Sequence, residues 1–196
     1  MSPTPRATTR ANPRDTSPST RRGRAPRPNR GDTLRRVIAV ADQRCDGRLP
    51  RDVPGVAETF EDQLSLVGAL QLRWHTRLSG RIERELMAQP LDLEDAVVAA
   101  WRGAAAEMPG VRAILDRQRS QPGDRATAAA MARATIKERT MLAVMAGRVS
   151  AEDAAALRIG EQIELRARAG LTPPAAPTRR HHRAGLLDRL KAVLPA

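Results

Sequence analysis

The sequence predicts an all-α protein: a small irregular helical bundle with a disordered basic N-terminal arm and a C-terminal amphipathic segment. Three observations lead there. Hydrophobic residues make up 41% of the chain but include one Phe, no Tyr and two Trp, so the core has to be built from Leu, Val, Ile, Ala and Met. That palette suits closely packed helices better than sheet faces, which draw on aromatic and β-branched side chains. Apolar residues recur at helical spacing through residues 33–170, and prolines, often beside glycine, punctuate the stretches between.

Residues 1–31 combine Pro, Ser, Thr and Arg with almost no apolar side chains, and are read as a disordered cationic arm because they cannot bury enough surface to offset the entropy of ordering. The helical domain is assigned to residues 32–170. Its first helix is expected to start at Asp32 or Thr33, either of which could cap TLRRVIAVADQRC, with Leu34, Val37, Ile38 and Ala41 inward and a stop near Gly47. Pro50, Pro54 and Gly55 mark a connector.

The longest helical stretch is read over residues 56–88, its continuity left open, with Glu58, Glu61 and Asp62 near its start and Phe60, Leu64, Val67, Leu70 or Gln71, Trp74, Leu78, Ile82 and Leu86 along one side. At 1.5 Å per residue it would span about 48 Å. That is long for a small body, so Gly68 or Ser79-Gly80 is expected to bend or break it, or to admit a neighbouring helix. Asp92, with Asp95 three positions on, caps a helix that buries Val97, Val98, Trp101, Ala104, Ala105 and Met108. Pro109-Gly110 separates it from VRAILDRQRS, which ends before Gln121-Pro122-Gly123.

Asp124 caps the following helix, whose apolar residues are Ala128, Met131, Ile136, Met141, Leu142 and Met145, with Glu138 and Leu142 spaced as a solvated face beside a packed one. Ser150 with Asp153 predicts the start of the last domain helix, carrying Leu157, Ile159, Ile163 and Leu165 and closed by Gly170. Ala156 and Gly160 have part of a helix-turn-helix spacing, but Glu161-Gln162 occupies the turn, so one uninterrupted helix is expected. DVPGVAETFEDQ and EMPGVRAILDRQ echo each other weakly, as two helix-to-helix turns built on Pro-Gly would. Residues 171–183 form a Pro/Arg/His linker, and residues 184–194 a short amphipathic helix, too short to be stable alone and expected to fold onto the body, a second copy, another protein or an anionic membrane surface.

The net charge is +12, of which residues 1–32 carry +6, residues 33–171 +2 and residues 172–196 +4. The excess therefore sits in the tails, where it attracts polyanions without specifying one. Cys45 is the single cysteine, so no intrachain disulfide can form, which points to a reduced, cytoplasmic setting. No apolar run approaches the roughly 20 residues of a transmembrane helix.

Nothing in the pattern of residues recommends catalysis. His75, His181 and His182 lack the Glu-x-x-His partners of a helical di-metal site, Cys45 has no nucleophile signature, and acid pairs such as Glu83/Glu85, Glu94/Asp95 and Glu152/Asp153 suit solvated helix surfaces. No cofactor or metal is assigned. The functional expectation is a non-catalytic protein-interaction or scaffold protein that binds another protein or itself. Leu186, Leu187, Leu190 and Leu194 are the named contacts, and an anionic membrane surface is the less favoured target. The alternative is DNA or RNA binding through Arg21, Arg22 and Arg24 of the arm and the row Arg73, Arg77, Arg81 and Arg84. Glu83 and Glu85 interrupt that row and no aromatics interleave it, so a solvated face is its first reading.

Overall fold

A computed structural model of the protein describes residues 29–88, 90–150 and 154–171. These form seven helices and no strand: α1 (Arg30–Arg44), α2 (Val56–Thr59), α3 (Gln63–Met87), α4 (Leu93–Glu107), α5 (Pro109–Ser120), α6 (Arg125–Met145) and α7 (Ala156–Ala169). The all-α expectation holds. Helix α3 runs through the middle against α4 and α6, α7 lies across α6 and α4, and α1 packs on α5. Leu66, Leu70, Trp74, Leu78 and Ile82 give α3 a fully buried stripe, which shares one core with Val97 and Trp101 from α4, Ile114 and Leu115 from α5, Leu142 from α6 and Ile163 from α7.

Several boundaries differ from the sequence expectation, each for a local reason. Helix α1 begins at Arg30, because the Asn29 side chain accepts the Gly31 N–H and supplies the cap one turn earlier than Asp32 or Thr33. Asn29, Arg30 and Gly31 therefore belong to the folded body. Thr33 is instead buried, where its hydroxyl oxygen accepts a hydrogen bond from the Thr59 hydroxyl. The helix ends at Cys45, which turns it off in the left-handed conformation (φ 47°) two residues before Gly47.

The helical stretch read over residues 56–88 is two helices. Phe60 is extended and buried, and Asp62 caps α3 by accepting the Ser65 N–H at 2.7 Å while the Ser65 hydroxyl oxygen accepts the Asp62 N–H. From there α3 is continuous through both Gly68 and Gly80, about 37 Å of helix.

Neither glycine admits a neighbouring helix. Close approaches occur at two others: a Cβ on Gly110 would overlap the Ala41 carbonyl of α1, and one on Gly160 the Arg139 carbonyl of α6. Pro109 and Gly110 are not a separator but the first turn of α5, with Pro at its favoured N-terminal position and Asp42 of α1 accepting the Gly110 and Val111 N–H groups. Burial raises the Asp42 carboxyl above its usual range, although those two bonds pull it the other way.

Asp92 and Asp124 cap α4 and α6 as expected. Helix α7 begins at Ala156 with no side-chain cap bond, where Ala156 is buried and Gly160 seats on α6; Asp153 of the expected Ser150–Asp153 start lies outside the described residues. It is uninterrupted, as the sequence indicates. The repeated turns diverge, since Gly55 sits left-handed at φ 89° before a four-residue helix while Gly110 is helical. Their matching glutamines nevertheless meet, Gln63 donating to Gln118 at 3.3 Å.

Candidate functional site

Six polar or charged residues are buried in the body, and three of them, Arg112, Glu138 and Glu164, organise the contacts between helices. Glu138 of α6 faces inward beside Leu142, not toward solvent. One carboxylate oxygen accepts the Trp74 indole N–H at 3.0 Å; the other accepts the Trp101 indole N–H at 3.1 Å and Arg112 at 3.4 Å. The two indoles meet edge to face, with ring centroids 5.7 Å apart. Arg112 lies over Trp74 and Arg168 over Trp101, at 4.7 and 5.0 Å from the ring centroids.

Asp116 joins the two arginines, accepting Arg112 at 2.8 Å and two bonds from Arg168 at 2.7 and 2.9 Å. Glu164 of α7 accepts Arg119 of α5 at 2.7 Å, Arg139 of α6 at 2.9 Å and its own Arg168 at 2.8 Å. Burial would raise the Glu164 carboxyl, but Arg119, Arg139 and Arg168 outweigh it and hold the group at about 2. Asp116 is held low in the same way, with burial opposed mainly by Arg168 and Arg112. These carboxylates each accept several donors from within the protein, so the cluster fastens the helices to one another.

The fastening sets the geometry of the surface above it. Trp74 and Glu138 clamp α3 to α6, and the residues flanking that bond line an open groove of about 360 Å³ between the two helices. Gly68, Leu72 and His75 line its α3 side, and Arg133, Ala134 and Lys137 its α6 side. On the other flank of α3 a second groove, about 630 Å³, is bordered by Arg30 and Leu34 of α1 and by Ala69, Arg73 and Thr76. Gly68 and Leu72 belong to both, and Leu72 is 67% exposed. The two linings include Arg30, Arg73, Arg133 and Lys137 and no carboxylate. By contrast, the groove bounded by Arg35, Arg73, Arg77, Asp42 and Glu107 carries both signs.

The arginine row is divided. Arg77 and Arg81 both bind Glu107 of α4, and their hydrogen bonds hold its carboxyl at about 2. Arg73 and Arg84 are exposed, and neither has an ion pair with a described residue. Arg21, Arg22 and Arg24, and the tail leucines Leu186, Leu187, Leu190 and Leu194, lie outside the described residues. Leu171 is the only part of the 171–183 linker that falls within them. Cys45 is half-buried, its thiol pushed up by burial and by Asp42 and Asp46.

Among the described residues no group of His, Cys, Asp and Glu gathers as a metal ion would require, and no helix is long and apolar enough to cross a membrane. Of the apolar residues named for α6 and α7, Ile136, Leu157 and Leu165 are 50%, 40% and 59% exposed. Sequence reasoning missed the Glu138 and Glu164 centres and the double groove. The one signal that pointed toward the groove was Gly68. No family model matches the chain, and no curated protein or solved structure matches it.

Proposed function

We propose that this protein is a non-catalytic helical interaction module or scaffold whose folded body presents the α3 face between α1 and α6. The observation that carries the reading is Leu72, 67% exposed between two open grooves midway along α3. A large apolar side chain held out beside concave surface on a rigid element is what a partner helix or strand buries. The tail leucines Leu186, Leu187, Leu190 and Leu194 supply a second contact in this reading, and a reduced, cytoplasmic setting suits the lone Cys45.

The test is recovery of partners on the full chain at moderate salt, with and without nuclease, followed by reconstitution of any recovered complex from purified components. A protein that survives nuclease and rebinds in purified form supports the module. Recovery of nucleic acid alone would replace it with the polyanion reading, which keeps Arg73, Arg84 and the arm but has Arg77 and Arg81 committed to Glu107.

A further inference from the structure

We infer that the double groove centred on Gly68 is a docking site for an acidic amphipathic helix of a partner protein. This rests on the interaction reading above and names the chemistry of its partner. The first support is charge. Arg30 and Arg73 border one groove and Arg133 and Lys137 the other, with His75 beside them and no Asp or Glu in either lining. Arg73, Arg133 and Lys137 make no ion pair with any described residue, while most other arginines of α3, α5 and α7 are tied to carboxylates.

The second support is Gly68 itself. A glycine inside a helix costs roughly 1 kcal/mol relative to alanine, and such a cost is usually offset by a close approach. Gly110 and Gly160 have one each, from backbone carbonyls of neighbouring helices. A Cβ on Gly68 would meet nothing within 4 Å. The chain keeps a bare patch of backbone at the junction of the two grooves without using it internally. A second helix laid over that patch can come closer than any side chain would allow, with Leu72, Ala69 and Ala134 as the apolar contact. Gly80, the other open glycine of α3, faces only the end of Arg84 and lines neither groove.

Charge also selects among occupants. The chain's own residues 184–194 carry Arg189 and Lys191 against Asp188 and follow Arg179, Arg180 and Arg183, so the C-terminal segment brings cations to a cationic rim. A second copy presenting the same face would do likewise. Nucleic acid satisfies the rim, but beside the Gly, Ala and Leu floor only the His75 imidazole offers a ring for a base to stack on. An amphipathic helix with leucines on one side and glutamates flanking them satisfies rim and floor together.

The experiment uses the full-length chain and a labelled synthetic peptide of about 18 residues, roughly five turns, with leucines in one helical stripe and glutamates elsewhere. A second peptide of identical composition has its leucines scattered around the helix, and a duplex RNA provides the nucleic-acid arm. The striped peptide is expected to bind at least about tenfold more tightly than the scattered one. Gly68→Leu, which fills the junction without touching the core, and the double reversal Arg73→Glu with Lys137→Glu should each weaken it by at least about tenfold, with helical circular dichroism retained.

Equal affinity for the two peptides would reduce the site to general charge attraction and overturn the inference. So would wild-type affinity in Gly68→Leu, or tight RNA binding that Gly68→Leu leaves intact. A purified natural partner that binds Gly68→Leu unchanged would remove the groove while leaving the interaction reading standing. Absence of any protein partner, together with failure of the striped peptide, would remove both.

Discussion

Replacing Glu138 by glutamine keeps the volume of the side chain and removes half of what it does. The two tryptophan N–H groups bind different carboxylate oxygens, and a glutamine has one oxygen to give; the other indole then faces an amide NH2. One orphaned buried donor costs about 1–3 kcal/mol. Arg112, 4% exposed, also loses a charged partner but keeps Asp116 at 2.8 Å, so this adds no more than about 1–2 kcal/mol.

The expected loss for Glu138→Gln is about 3 kcal/mol, and for Glu138→Ala, which strands both indoles and opens a cavity, about 5 kcal/mol. Against a stability of roughly 5–15 kcal/mol these are large effects. The assay is urea denaturation followed by tryptophan emission, and the protein provides its own reporter: Trp74 and Trp101 are the only tryptophans, there is no tyrosine, and both sit in this cluster. With a urea dependence of about 2 kcal/mol per molar, the midpoint should fall by about 1.5 M for the glutamine variant, with emission shifted to the red. Combining it with Trp74→Phe, which leaves Trp101 as the one indole needing the glutamine oxygen, should recover about 1 kcal/mol as coupling. A glutamine variant within about 0.5 kcal/mol of the parent and with unchanged emission would refute the idea that Glu138 holds the indoles.

Three glycines should respond with opposite signs in thermal melts. Gly110→Ala and Gly160→Ala force a methyl group into a backbone carbonyl and should each cost about 3 kcal/mol or more, while Gly68→Ala, in open space, should gain up to about 1 kcal/mol. Acid stability should follow Glu164. Its carboxyl lies at about 2 in the folded protein against 4.5 ordinarily, so its contribution is complete above about pH 4.5 and disappears as pH falls toward 2. The amount is on the order of 3 kcal/mol, and Glu164→Gln should flatten the acid limb of a plot of urea midpoint against pH. Glu107→Gln should change stability by less than about 1 kcal/mol, because its pairs are partly exposed. It should also release Arg77 and Arg81, steepening the salt dependence of heparin binding; an unaltered salt slope would show that the arginine row does not face a polyanion.

The helical architecture was readable because Leu, Val, Ala and Met at helical spacing, with caps at Asp92 and Asp124, specify helices locally. The break before α3 was readable in principle, since Asp62 and Ser65 form a reciprocal cap, but Phe60 and Leu64 keep helical spacing across it and hid it. Burial of charge was not readable at all. Glu138 lies 64 residues from Trp74 and 37 from Trp101, and Glu164 lies 45 from Arg119, so no local window shows that these carboxylates have partners. The arginine row was visible as a row, yet its neutralisation depends on Glu107, 26 residues beyond Arg81. Gly68 stood out as an irregularity. That it serves no internal contact emerged only from the packing around it.

The order in which the chain leaves the ribosome meets the Glu164 clasp last. Every acid that pairs with Arg119 and Arg139 comes from α7, as does the arginine covering Trp101. A nascent chain holding only α1–α6 can gather its leucines and tryptophans, but it lacks the acids that pair with Arg119 and Arg139 and leaves empty the seat on α6 where Gly160 belongs. A product truncated short of Glu164 is expected to open more readily, and added protease should cleave it faster than the full chain.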